Sequence, residues 1–202
     1  MRYMSSSQSA AGRPKRAQTG FSLVEVLVSI VVLSFGLLGM VGLQAAALKY
    51  NRDAKNQSVA VSLARELAEM MRANAQVAAK TTGNPYYGTF TGSPLQPATT
   101  ESCLNVGSNC TDTTKVANAQ MTDWLSRVEQ ALPGAQVKVC ADVAPYNTSG
   151  IPVWACTDPT GGSVISVIKI GWKREQFNNS DISAAQDKAP YVVFPVTPSG
   201  QS

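Results

Sequence analysis

The sequence predicts an α+β fold, one long N-terminal helix followed by a run of antiparallel strands. Three observations predict it. No charged residue occurs from Val26 to Leu48, a run of 23, and no proline occurs from Phe21 to Asn84. Beyond residue 130, apolar and polar residues alternate in short runs separated by Pro, Gly and Asn.

The run Val26–Leu48 would rise roughly 34 Å as a helix, against a bilayer core of about 30 Å. A buried helix of a soluble core is the plainer alternative, but the flanks argue against it. Arg2, Arg13, Lys15 and Arg16 precede the run without any acid, and Lys49, Arg52 and Lys55 follow at once. Such a basic leader favours a cytoplasmic N-terminus with the remainder outside. A secretory signal cleaved after Ala45-Ala46-Ala47 is a second alternative. Its apolar core would exceed the usual length of about 7–15 residues.

Past the span, Ala60, Leu63, Leu67, Met70, Asn74 and Val77 recur every three or four residues, and all but Asn74 are apolar. Arg65 and Glu69 stand four apart on the opposite side. Thr81-Thr82-Gly83-Asn84-Pro85 ends the pattern, so the helix is expected over 21–80, about 90 Å long. Gly36, Gly39 and Gly42 let neighbouring helices approach closely, or let the helix extend locally on assembly, or reflect ordinary glycine enrichment in spans.

Residues 81–113 read as a long surface loop, rich in Thr, Gly, Pro, Ser and Asn. A second helix is expected over 114–132, burying Ala117, Met121, Trp124, Leu125, Val128 and Leu132 and stopped by Pro133-Gly134. Val137, Val139 and Ala141 alternate with Lys138, Cys140 and Asp142 as a strand. Ile151–Cys156 reads as its partner, Ser163–Trp172 as the strongest strand, and Tyr191–Val196, with Pro195, as an edge.

Composition narrows the chemistry. There are 17 Lys and Arg against 13 Asp and Glu, but four of the basic residues lie in the first 20, and beyond them the counts are equal at 13. A general nucleic-acid surface is not supported. The sequence contains no histidine, which removes Ser-His-Asp and Cys-His catalysis and imidazole zinc sites. No catalytic residue, cofactor or metal is expected. Asn178-Asn179-Ser180-Asp181 lacks the calcium-loop spacing and reads as a turn. Lys169, Lys173 and Arg174 form the only compact basic group in the globular head, read as a solvated strand end rather than a DNA footprint.

Cys103, Cys110, Cys140 and Cys156 all fall in the external part. An even count in an oxidising compartment suggests disulfides in one of three connectivities, with 103–110 and 140–156 favoured. A Cys₄ zinc site is the alternative, and no C-x₂-C pair is present for it.

The segment Lys15-Arg16-Ala17-Gln18-Thr19-Gly20-Phe21-Ser22-Leu23-Val24-Glu25 resembles the processing site of type IV prepilins and type II secretion pseudopilins. The resemblance implies cleavage between Gly20 and Phe21 by a membrane prepilin peptidase, N-methylation of Phe21, and Glu25 as the assembly carboxylate that pairs with the Phe21 ammonium of a neighbouring subunit. Each residue also has a physical account. Gly20 offers a bare backbone to a narrow cleft. Glu25, an acid at the start of an apolar span, also offsets the positive end of its own helix.

The resemblance implies a type IV pilin fold with four parts. These are a removed leader (1–20), a membrane or filament-core half-helix (21–48), an amphipathic half-helix (49–80) and a globular head (81–202). Gly36-Leu37-Leu38-Gly39-Met40-Val41-Gly42-Leu43-Gln44, Glu66-Leu67-Ala68-Glu69-Met70-Met71-Arg72-Ala73-Asn74 and Asp123-Trp124 with Leu132-Pro133-Gly134 are similar to the PilV family of minor pilins, the type IV pilus modification proteins. Met70 replaces the usual first Arg of that family's Arg-Met-Arg-Ala-Asn. The family implies a low-abundance, non-enzymatic subunit that primes pilus assembly and so serves motility and adhesion. Its partners would be prepilin peptidase, other minor pilins, the major pilin, the inner-membrane assembly platform and, before assembly, inner-membrane lipid. A type II secretion minor pseudopilin and a DNA- or surface-binding minor pilin are the alternatives.

Overall fold

The computed structural model describes residues 20–158, 165–174 and 189–197. The chain divides into two compact units, Met1–Leu48 and Lys49–Ser202. The described part of the first is helical from Leu23 onward, the start of α1 (Leu23–Ala73). Its large apolar side chains from Phe21 to Leu48 are exposed.

In the second unit α1 buries Ala60, Leu63, Ala64, Leu67, Ala68 and Met71. This is the anticipated stripe shifted slightly, with Met71 fully buried and Met70 only partly so. The helix is not continuous to Lys80 as expected. Asn74 leaves helical geometry at φ −116°, ψ 52°, and a single further turn, α2 (Ala75–Ala78), follows. The break coincides with a bond from the Asn74 side chain, whose Nδ2 donates to the Thr113 carbonyl at 2.9 Å. Short amides compete with the helical backbone in this way. Asn84 then closes α2, donating from Nδ2 to the Ala78 and Lys80 carbonyls and accepting from the Tyr86 amide. Glu69 pairs with Arg72 at 2.6 Å, not with Arg65.

Residues 81–113 are not wholly a surface loop, because Gly88–Phe90 forms strand β1 and Tyr86, Phe90 and Leu95 are buried. Helix α3 (Thr113–Ala131) follows, capped by the Asp112 carboxylate, which accepts from the Thr114 amide at 2.8 Å. It buries Ala117, Met121, Trp124, Leu125 and Val128 as the periodicity predicts. After Leu132 and Pro133 the chain turns at Gly134, whose φ of +55° favours glycine.

Strands β2 (Gln136–Ala141), β3 (Ser166–Gly171) and β4 (Val192–Val196) complete an antiparallel sheet in the order β1-β2-β3-β4 among the described residues. Val139 faces Ile168 across β2 and β3, and Ile168 faces Phe194 across β3 and β4. Val137, Val139, Ile168, Ile170, Val192 and Val196 join the helical side chains in one core. The part of α1 from Ala60 to Met71 packed with this sheet is an α+β arrangement consistent with the type IV pilin fold. Of the strongest expected strand, Ser163 and Val164 lie outside the described residues, as do Asn178–Asp181.

The segment Ile151–Cys156 is not the partner strand expected for β2; it contributes only an isolated bridge from Pro152 to Tyr146. All six residues of β3 are buried, on both faces. The face away from the helices is covered by the 142–157 segment. The carbonyls of Val153 and Ala155 accept from Lys169 Nζ rather than from a neighbouring strand. Trp154 lies so close over Gly171 that a Cβ there would sit 2.9 Å from its ring.

Candidate functional site

Gly20 is exposed, and a Cβ there would meet nothing within 4 Å. Phe21 is 84% exposed. The helix begins immediately after, the Ser22 carbonyl accepting from the amides of Glu25 at 3.0 Å and Val26 at 3.2 Å. Glu25 therefore stands in the first turn, where unpaired amides make the positive end of the helix. It is the only charged residue from Phe21 to Leu48. Four residues of rise put it about 6 Å along the axis from Phe21. Gly20, Phe21 and Glu25 are thus held together by the chain itself, on an accessible, otherwise apolar segment. Among the described residues, α1 is the one helix long and apolar enough to cross a membrane by length and composition.

The cysteines join as Cys103–Cys110 and Cys140–Cys156, with Cα–Cα distances of 5.6 and 6.5 Å. Cys140, Cys156 and Asp142 bring their ligand atoms within 4.8 Å of one another. The arrangement does not suit a metal, because the sulfurs are bonded to each other and Asp142 holds an ammonium.

That ammonium is Lys169, which corrects the reading of Lys169, Lys173 and Arg174 as a solvated basic group. Lys169 and Asp142 are both fully buried, with Nζ 2.5 Å from Oδ2. The remaining Lys169 donors go to the carbonyls of Val153 at 2.8 Å and Ala155 at 2.6 Å. Asp142 Oδ1 accepts from the amides of Ala144 at 2.9 Å and Thr157 at 3.1 Å. Burial pushes the Asp142 carboxyl up, but the hydrogen bonds from Lys169, Thr157 and Ala144 and the nearby positive charge outweigh it and hold it below the usual carboxylate range. Arg174 stacks its guanidinium 3.9 Å from the Tyr191 ring centroid, so it too is engaged with the fold.

Sequence reasoning missed the Lys169–Asp142 pair. The available signal was a lysine inside an otherwise apolar strand, Val167-Ile168-Lys169-Ile170.

The model described as type IV pilin Tt1218 matches residues 42–124, and the prokaryotic N-terminal methylation motif matches residues 15–41. Neither a curated protein nor a solved structure matches the chain. A methylation motif followed directly by a type IV pilin domain supports a pilin subunit, of a family of structural proteins, that is a prepilin peptidase substrate and assembles with other pilins as a membrane-anchored pilus component.

Proposed function

We propose that the chain is a minor pilin of type IV pili, of the PilV kind, that primes pilus assembly and through it serves motility and adhesion. The observation that carries this is the exposed apolar helix beginning at Leu23, with Glu25 in its first turn, directly behind Gly20-Phe21. Prepilin peptidase would cut after Gly20 on the cytoplasmic side of the inner membrane. Phe21 would then be the methylated N-terminus, with the helix to Leu48 spanning the membrane and the head in the periplasm.

Exposed apolar side chains all around a helix are costly in water and stable in lipid or among similar helices. One helix can therefore serve first as anchor and later as filament core. In that low-dielectric setting the Glu25 carboxylate and the Phe21 ammonium of a neighbouring subunit attract strongly over a few ångströms, which gives assembly both drive and register. The further partners would be other minor pilins, the major pilin and the assembly platform.

The test is mass analysis of the N-terminal peptide from the assembled protein, with deletion of the gene in the same strain. Methylated Phe21 at the terminus, with lost twitching motility and normal exoprotein secretion, is the expected result. A terminus at Met1 or Leu48 would overturn the processing. Lost secretion with intact motility would overturn the pilus assignment in favour of a type II pseudopilin.

A further inference from the structure

We infer that the buried Lys169–Asp142 pair is a positioning device that directs Cys156 to Cys140 during oxidative folding. The bonds of the pair bracket Cys156 on both sides. Ala155, immediately before it, gives its carbonyl to Lys169 Nζ at 2.6 Å. Thr157, immediately after it, gives its amide to Asp142 Oδ1 at 3.1 Å. Asp142 itself lies two residues beyond Cys140, and Cys140 pairs with Val167 in the β2–β3 register two residues before Lys169. Asp142 thus follows directly on the strand that carries Cys140, Lys169 lies on the strand paired with it, and their partners Ala155 and Thr157 flank Cys156. All of these contacts are made by atoms other than the two sulfurs.

The pair is fully buried, so its attraction is little screened and its loss would leave a charge without water. It can hold the 142–157 segment on the sheet while both thiols are still reduced. Four thiols allow three connectivities. Holding Cys156 beside Cys140 raises their effective concentration over Cys103 and Cys110.

With a glutathione-type disulfide as oxidant, Cys140 first takes one glutathione as a mixed disulfide and releases the other as thiol. The Cys156 thiolate then attacks Cys140 Sγ, and the bound glutathione leaves as thiolate and recovers the proton that Cys156 gave up. Two protein thiols are oxidised and one glutathione disulfide becomes two thiols.

The experiment refolds the reduced full chain in detergent and glutathione buffer, with peptide mapping under non-reducing conditions. Native 140–156 pairing should predominate in the parent. Closure of 140–156 from the mixed disulfide, followed in acid-quenched samples, should be at least about tenfold slower in Lys169→Met, and in Asp142→Leu/Lys169→Met, which removes both charges while filling the space. An unchanged closing rate in both variants would overturn the inference. The second arm uses Cys140→Ser/Cys156→Ser, which keeps the pair and lacks the bond. Hydrogen exchange of peptides spanning 142–157 should remain at least about tenfold slower than when Lys169→Met is added. Exchange at the rate of an unfolded chain in the serine variant would show that the pair depends on the disulfide, and would equally overturn it.

Discussion

The indole nitrogen of Trp124 donates to the carbonyl oxygen of Leu63 at 2.9 Å, keying α3 to the buried half of α1. Beside it Arg127 holds both Glu66 carboxylate oxygens, at 2.6 and 2.7 Å. The ion pair is half-exposed and contributes little, whereas the Trp124 ring is fully buried. Trp124→Phe should therefore cost about 1 kcal/mol for the lost hydrogen bond, besides some packing. Trp124→Ala should cost about 3–5 kcal/mol, and Arg127→Ala less than either. Urea unfolding of the three variants checks the order.

Acid should weaken the head through Asp142. Its folded carboxyl is held below the usual range, so the unfolded chain binds its proton first as pH falls. The contribution is complete above the ordinary carboxylate value of about 4 and is lost as pH drops through the lowered folded value. Lys169→Met leaves a buried, unpaired carboxylate and should cost about 3–5 kcal/mol at neutral pH. Thermal unfolding across pH 2–7, values set by the ordinary carboxylate range of about 4, should show the parent and variant curves converging in acid. Parallel curves throughout would contradict the assignment.

Gly171 carries a steric demand, because an added Cβ would lie 2.9 Å from the Trp154 ring. Gly171→Ala should displace Trp154 and destabilise by about 1–3 kcal/mol, as overpacking does. A red-shifted Trp fluorescence in the folded variant would report the displacement. Gly171→Ala combined with Trp154→Leu should recover part of the loss.

Glu25→Ala should leave processing and membrane insertion intact and reduce incorporation into filaments. The change removes one carboxylate from the first turn and improves helix propensity, so the anchor itself is not weakened. Immunoblots of sheared pili against whole membranes measure the ratio. Normal incorporation would refute pairing between Glu25 and a neighbouring terminus.

The parts legible in the sequence are those whose determinants are local. The stripe through Met121, Trp124, Leu125 and Val128 follows from helical period alone, and the Gly20-Phe21-Glu25 motif is linear and needs no fold to be recognised. What escaped depends on distant partners. Gly88–Phe90 is three residues in a turn-rich stretch and becomes a strand only because β2 offers it a ladder. Lys169 looks like the outward residue of an alternating strand. Its burial depends on Asp142 and on two main-chain carbonyls, and main-chain carbonyls leave no trace in side-chain pattern. For the same reason Ile151–Cys156 reads as a strand, although its acceptors are spent on an ammonium.

Among the described residues, both outer strands of the sheet are poor templates. β1 offers only three residues, and β4 carries Pro195, which has no amide hydrogen to donate. Such a head resists zipping edge to edge with another copy, the usual route from crowding to amyloid-like stacking. For a pilin subunit that assembles with others, ordering between copies would then fall to surfaces other than strand backbone.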